Sequence, residues 1–292
     1  MPAYEGIVIR PPSEAESLII QYTIGCSHNQ CTFCPAYKQK SFRVRSLFEM
    51  EQDIRGCLPS CDGTRRIFLA DGDALAAPLP GLLALFQLLH SSFPALQRIG
   101  MYANAKNILG RSREELRQLR EAGLGILYLG VESGDDDLLT WMRKGSTAAE
   151  MAEAGKRVKA AGITLSVTVL LGIGGIERSE AHGRSTGALL TAIDPEYVGA
   201  LTVMVVPGTP LYDLEQQGRF LLPSPFAILS ELAALLEHTE MTRGLFFANH
   251  ASNYLPVSVR MPSQRDRTVA MIRACVRTGD PSFLKPEGMR RL

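Results

Sequence analysis

No apolar run in the chain approaches the ~20 residues that a helix needs to cross a bilayer, so no membrane span is expected. The N-terminal Met-Pro-Ala-Tyr-Glu-Gly has no basic segment leading into an apolar one, so no signal peptide is expected either. Neither charge dominates. With 31 basic and 30 acidic residues there is no electrostatic reason to expect nucleic acid or an anionic membrane as partner. Internal repeats, low-complexity tracts and Gly/Ser linkers are missing. Cysteine is scarce, at six residues. In a chain expected to be cytoplasmic, where thiols stay reduced, such cysteines point to metal or redox chemistry rather than to a disulfide framework.

Three of those cysteines fall within nine residues, Cys26-Ser-His-Asn-Gln-Cys31-Thr-Phe-Cys34, directly after the apolar run 18–24. A strand ending in three thiols suggests a metal centre. Three thiolates can hold three irons of a [4Fe–4S] cube and leave the fourth iron open. A closed zinc site needs a fourth ligand. His28 is available, but it sits between the first two cysteines, where chelation is cramped. Cys57 and Cys61, spaced i, i+4, and Cys275 are expected to pack as small hydrophobes.

Short apolar runs alternate with helix-period segments. Strands are expected at 18–24, 66–70, 98–103, 125–131, 163–171 and 197–205, and amphipathic helices at 46–57, 80–91, 111–122, 147–161 and 177–192. Ser112 and Thr147 open capping boxes, and Gly123 and Gly162 close the helices that follow. Six βα units in a row predict an α/β fold, a partial or full (β/α) barrel of parallel strands. Residues 1–17 read as an N-terminal extension, 18–210 as the core barrel and 211–292 as an α-rich elaboration packed on it, with a helix at 224–241, a strand at 244–248 and a helix at 264–278. The tail 280–292 is expected to be loosely held. The basic run Lys38, Lys40, Arg43, Arg45 is either a solvated face or a means of tuning the metal centre or holding a substrate carboxylate.

The cysteine loop resembles the cluster loop of the radical S-adenosylmethionine (radical SAM) enzymes, three cysteines spaced C-x3-C-x2-C with an aromatic before the last. Phe33 matches the aromatic and Cys31-x2-Cys34 the second gap, whereas four residues separate Cys26 from Cys31. A second element, Gly130-Val-Glu132-Ser133-Gly134 with Arg143-Lys-Gly-Ser-Thr147 beyond it, resembles the end of strand four in the branch holding the oxygen-independent coproporphyrinogen oxidases and the Elongator catalytic subunit. The resemblance implies a [4Fe–4S] cluster on Cys26, Cys31 and Cys34, and S-adenosylmethionine (SAM) held at the strand ends. Asp71-Gly72-Asp73 stands where the family has a Gly-Gly-Glu-like segment for the methionyl amine, with either aspartate as the negative partner. Asn104 would point over the same face. Glu132 would bind the ribose hydroxyls, Ser133 and Arg143 the methionyl carboxylate. Gly172, Gly174 and Val206 would lie against adenine.

The activity so implied is reductive cleavage of SAM to a radical that takes hydrogen from a small-molecule substrate, with an electron donor such as flavodoxin or ferredoxin. No further cysteine constellation suggests an auxiliary cluster. Only about 25 residues stand before the cluster loop, which argues against a cobalamin-binding domain. The lack of a basic appendage weakens a tRNA-modifying role. Asn249, His250, Ser252 and Asn253 follow the strand at 244–248, and such polar groups are costly to bury unpaired. They are substrate-site candidates if that strand joins the barrel, and otherwise a polar loop with Asn-capped turns. The alternative from another class is a zinc-stabilised βα binding module.

Overall fold

A computed structural model describes residues 4–58, 61 and 63–291. The first apolar run divides. Leu18–Gln21 (β1) runs beside Arg66–Ala70, while Thr23–Ile24 (β2) turns away to pair with Arg43–Val44 (β3) in a two-stranded ribbon. The other strands are Arg66–Ala70 (β4), Arg98–Ala103 (β5), Leu124–Glu132 (β6), Thr164–Leu171 (β7), Tyr197–Thr202 (β8), Gly244–Ala248 (β9) and Val257–Met261 (β10). Eight of them form one sheet in the order β1-β4-β5-β6-β7-β8-β9-β10. The pairs β1–β4, β4–β5, β5–β6, β7–β8 and β8–β9 are parallel, and β9–β10 is antiparallel. This is the expected α/β fold in its partial form: β1 and β10 are the two ends of the order and the barrel is not closed.

The helices are Leu47–Cys57 (α1), Leu79–Ser92 (α2), Ala105–Leu109 (α3), Arg113–Glu121 (α4), Asp136–Trp141 (α5), Ala148–Ala160 (α6), Gly175–Ile193 (α7), Pro210–Gln216 (α8), Pro225–Glu237 (α9) and Arg265–Thr278 (α10). Ser112 and Glu115 form the predicted capping box of α4. Thr147 and Glu150 hydrogen-bond reciprocally before α6. None of the described helices is long and apolar enough to cross a membrane.

The chain folds as two compact units, residues 1–29, 36–129 and 156–165, and residues 30–35, 130–155 and 166–292. In the first, Phe68, Tyr102 and Tyr128 pack edge to face. Glu14, from the N-terminal segment, is wholly buried and accepts from Ser17 and Tyr128 and pairs with Arg98. A carboxylate survives such burial only with these partners. In the second unit α7, α9 and α10 pack together, and β9 and β10 lengthen the sheet instead of merely covering it.

Three expectations are corrected. The last strand of the core ends at Thr202 rather than 205, because the Val203 carbonyl is taken by Arg290 at 2.9 Å instead of by a neighbouring strand. Arg290 also donates to the Ser252 carbonyl at 2.6 Å, is 2% exposed, and so pins a tail expected to be loose. Within the basic run, half-buried Lys40 pairs with Asp71 (2.8 Å) and buried Arg45 with Asp53 (2.7 Å), so only part of the run, Arg43 among it, is a solvated face.

Candidate functional site

In the first unit the candidate residues gather in the turn after β4. Asp71 is wholly buried and uses one oxygen, Oδ2, to accept from Gln21 Nε2 at 3.0 Å, Gly25 N at 2.9 Å and Lys40 Nζ at 2.8 Å. Asp73, equally buried, accepts at Oδ2 from Asn104 Nδ2 at 2.7 Å and from Ser27 Oγ and Asn107 Nδ2. Cys26 therefore lies between Gly25, held by Asp71, and Ser27, held by Asp73. Gly72 has no room for a side chain, since a Cβ there would stand 2.6 Å from the Tyr37 ring and 2.9 Å from the Cys26 Cβ. Asn104 also caps α3 by accepting from Asn107 N at 2.8 Å.

The two aspartates differ in charge balance. Asp71 is neutralised by Lys40. The partners of Asp73 are all neutral, and burial, partly offset by its hydrogen bonds from Ser27, Asn107 and Asn104, pushes its carboxyl up to about 6. Each keeps one buried oxygen, Oδ1, without a hydrogen-bond partner among the described residues. An unfilled buried acceptor asks for an explanation, and Asp73 differs from Asp71 in having no ion-pair partner among the described residues.

The longer first gap of the cysteine loop is absorbed at Asn29. It takes a left-handed backbone (φ 41°), a conformation asparagine tolerates. Its side chain donates to the Tyr37 carbonyl at 2.7 Å, and Lys38 donates to its own carbonyl at 3.0 Å.

In the second unit the segment 30–35 is tied at Thr32, whose N–H donates to the Met142 carbonyl and whose carbonyl accepts from Leu211 N, both at 3.0 Å. Cys31, Cys34 and Phe33 are half-buried. Glu132, with φ 63°, pairs with Lys144 at 2.9 Å. Burial alone would push the Lys144 ammonium down, but Glu132, together with Cys31 and Cys34, holds it above its ordinary value. Lys144 is thus the cation among these residues that sequence reasoning passed over in favour of its neighbour Arg143, which is exposed.

Ser133 is wholly buried, and its hydroxyl is shared by Asp135 N at 3.0 Å and His182 Nδ1 at 2.8 Å. Gly172 (φ 79°) donates its N–H to Glu231 Oε1 at 2.7 Å, and Gly174 opens α7. Val206 is half-buried, in the turn capped by Thr209. In the loop after β9, Ser252 and Asn253 are buried and engaged. Ser252 Oγ accepts from Thr202 N at 3.1 Å, and Asn253 bonds Thr202 Oγ1 and the Ala200 carbonyl, each at 2.8 Å. His250 bonds Ser252 at 2.9 Å, and Asn249 is exposed.

The donor set suits an iron–sulfur cube. Cys26, Cys31 and Cys34 are half-buried and in no disulfide, and a cube places each thiolate on its own iron. Zinc would need four ligands converging on one point. Among the described residues no three His, Cys, Asp or Glu side chains are gathered as a metal site, the three cysteines included.

Comparison with known families matches residues 20–182 to the radical SAM superfamily. The chain belongs to that superfamily. Its members are enzymes, and this chain is one. It is 25% identical over 203 residues to the heme chaperone HemW of Bacillus subtilis, a stretch covering 68% of this chain and 53% of that protein. It is 29% identical over 178 residues to the tRNA-2-methylthio-N(6)-dimethylallyladenosine synthase of Dehalococcoides mccartyi (strain CBDB1), covering 58% and 41% of the two chains. The chain spans about half the length of these curated relatives. Among solved structures, coproporphyrinogen III oxidase (HemN) from Escherichia coli shares the fold, with a TM-score of 0.62 over 94% of this chain and 61% of that one at 16% identity.

Proposed function

We propose that this radical SAM enzyme carries a [4Fe–4S] cluster on Cys26, Cys31 and Cys34 and cleaves SAM reductively to start hydrogen abstraction from a small-molecule substrate. When bound, the two groups supply one-electron cleavage of the sulfonium to methionine and a 5′-deoxyadenosyl radical.

The chain's own residues position and shield. Asp71 neutralises Lys40 and holds Gly25, so it shapes the loop beneath Cys26. Asp73 offers the unneutralised carboxylate and is the partner for the methionyl amine. Glu132, kept in place by Lys144, accepts from the ribose hydroxyls. The Gly172–Gly174 turn lets backbone approach adenine, with Val206 beside it. Arg143 answers the methionyl carboxylate, and Ser133 shapes its turn from within. Asn249 and His250 are the members of the polar loop left to meet a substrate, because Ser252 and Asn253 are committed to β8. An electron donor of the flavodoxin or ferredoxin kind and a cytoplasmic, reducing setting complete the proposal, in which neither nucleic acid nor membrane takes part.

The observation that carries the SAM reading is the buried, uncompensated Asp73 beside the first cluster cysteine. Anaerobic reconstitution tests it. The purified chain should take up four irons and four sulfides per cluster, as a cube requires, and the paramagnetic signal of the reduced cluster should change on adding SAM. Uptake of zinc without sulfide would refute the reading.

A further inference from the structure

Behind the turns named above, a largely buried chain of polar groups in the second unit includes two side chains, His182 and Glu231, that the proposed function does not use. It starts at Glu231 on α9, whose Oε1 accepts from Gly172 N at 2.7 Å and whose Oε2 accepts from Ser179 Oγ at 2.5 Å. His182 on α7 stands next, its Nε2 at 3.4 Å from Glu231 Oε1 and 3.2 Å from the Leu170 carbonyl. Its Nδ1 faces Ser133 Oγ at 2.8 Å and Thr186 Oγ1 at 3.2 Å. Those hydroxyls accept from Asp135 N and Gly134 N, each at 3.0 Å. The chain thus runs from the turn after β7 to the turn after β6.

The neighbours fix one ring position. Both neighbours of Nε2 are acceptors, so Nε2 carries a hydrogen, while Nδ1 faces two hydroxyls that can donate to it or accept from it. Serine, histidine and glutamate in series look like a nucleophile with its base. Ser133 is wholly buried, however, so no substrate reaches its oxygen.

The backbone explains why the chain needs to be there. Gly172 has φ 79° and its N–H has turned out of the sheet to Glu231. A Cβ at Gly134 would stand 2.2 Å from the Ser185 carbonyl, so that turn lies directly on α7. Gly183 and Gly187 bring α7 and α9 together, since a Cβ at either would meet the Glu231 or the Leu235 carbonyl at 2.9 and 2.5 Å. This close approach delivers Glu231 to His182.

We infer that His182 and Glu231 are positioning residues which lock the turns 133–135 and 172–174 into one geometry and thereby set the affinity for SAM. The inference rests on the proposed function, in which both turns receive that ligand. Loosening turns that hold SAM equally before and during reaction removes uniform binding, so the effect should fall on affinity and not on cluster loading.

The test uses the reconstituted holoenzyme and SAM as the probe, read by equilibrium dialysis, with iron and sulfide content and Tm measured alongside. Glu231→Leu is expected to weaken SAM binding by about 10-fold or more, with iron content unchanged and with the 5′-deoxyadenosine rate at saturating SAM within about threefold of the parent. Glu231→Gln, which still accepts from Gly172 N, should recover most of the affinity. His182→Asn provides a milder break if Glu231→Leu does not fold, and it should raise the dissociation constant for SAM in the same way. Parent-like affinity in Glu231→Leu, or in His182→Asn where that is the folded variant, overturns the inference. An affinity loss that Glu231→Gln fails to recover also overturns it. A parent that loads its cluster but binds no SAM overturns the inference together with the function it rests on.

Discussion

The turns after β4 and after β6 both carry buried or nearly buried carboxylates, yet they use them differently. After β6, the two most buried acids each have a cation: Glu132 has Lys144 at 2.9 Å, and Asp135 has Arg178 at 2.8 Å, which it shares with Asp137. After β4, Asp71 is paired but Asp73 is not, and Asp73 sits beside the first cluster cysteine. Charge that is already balanced holds shape, whereas a buried acid without a paired cation fits the ligand contact proposed for Asp73. The cost shows in the raised carboxyl of Asp73, and perturbed groups of this kind mark functional sites.

The largest effect should come from the thiols. Cys31→Ala is expected to abolish cluster assembly, while Cys57→Ala should keep it. Cys57 is 1% exposed, and burial pushes its thiol up to about 11, which suits packing rather than ligation. Equal iron content in both variants would break the assignment.

Next come the two aspartates, which should fail in different ways. Asp71→Asn leaves Lys40 nearly buried and unpaired, and is expected to cost about 3 kcal/mol of stability by denaturant titration. Asp73→Asn removes no pair from the protein, and should instead weaken SAM binding by about 10- to 100-fold. Exchange of these phenotypes would reverse the assignment of the amine partner.

Asp73 also makes a pH prediction. Its folded carboxyl titrates at about 6, above the ~3.9 of an unfolded aspartate. The folded state therefore binds the extra proton between those values, and stability falls as pH rises through that window. Without ligand, Asp73→Asn should be more stable than the parent at pH 7 by roughly 2–3 kcal/mol, the advantage fading toward pH 4. An unchanged or lower stability at pH 7 would mean that the charge is balanced after all. The smallest effect belongs to the turn after β6. Arg178 is 41% exposed, so Arg178→Gln should cost no more than about 1 kcal/mol.

Elements built on periodicity were legible in the sequence. The runs 66–70, 98–103 and 244–248 are strands at the expected residues, and the capping box at Ser112 marks the start of α4. Short elements were not. α3, α5 and α8 have five to seven residues, too few to show a helical period, and each is held by its cap and its neighbours. The β2–β3 ribbon exists through a pairing partner about 20 residues away, and β10 is a short strand that pairs with β9 alone. The same limit applies to the site. Asp71-Gly72-Asp73 stood out, but nothing in sequence separates its two acids, because the difference is Lys40, 31 residues away. Asn107 and Glu231 carry no motif, and their roles follow from where a cap and a close helix pair place them.

The most direct measurement is 5′-deoxyadenosine formed from SAM by the reconstituted, chemically reduced enzyme. Formation of 5′-deoxyadenosine and methionine together, lost in Cys31→Ala and recovered in Asp73→Asn only at raised SAM, is the predicted result. A protein carrying its full complement of iron and sulfide that leaves SAM intact under reduction would contradict it.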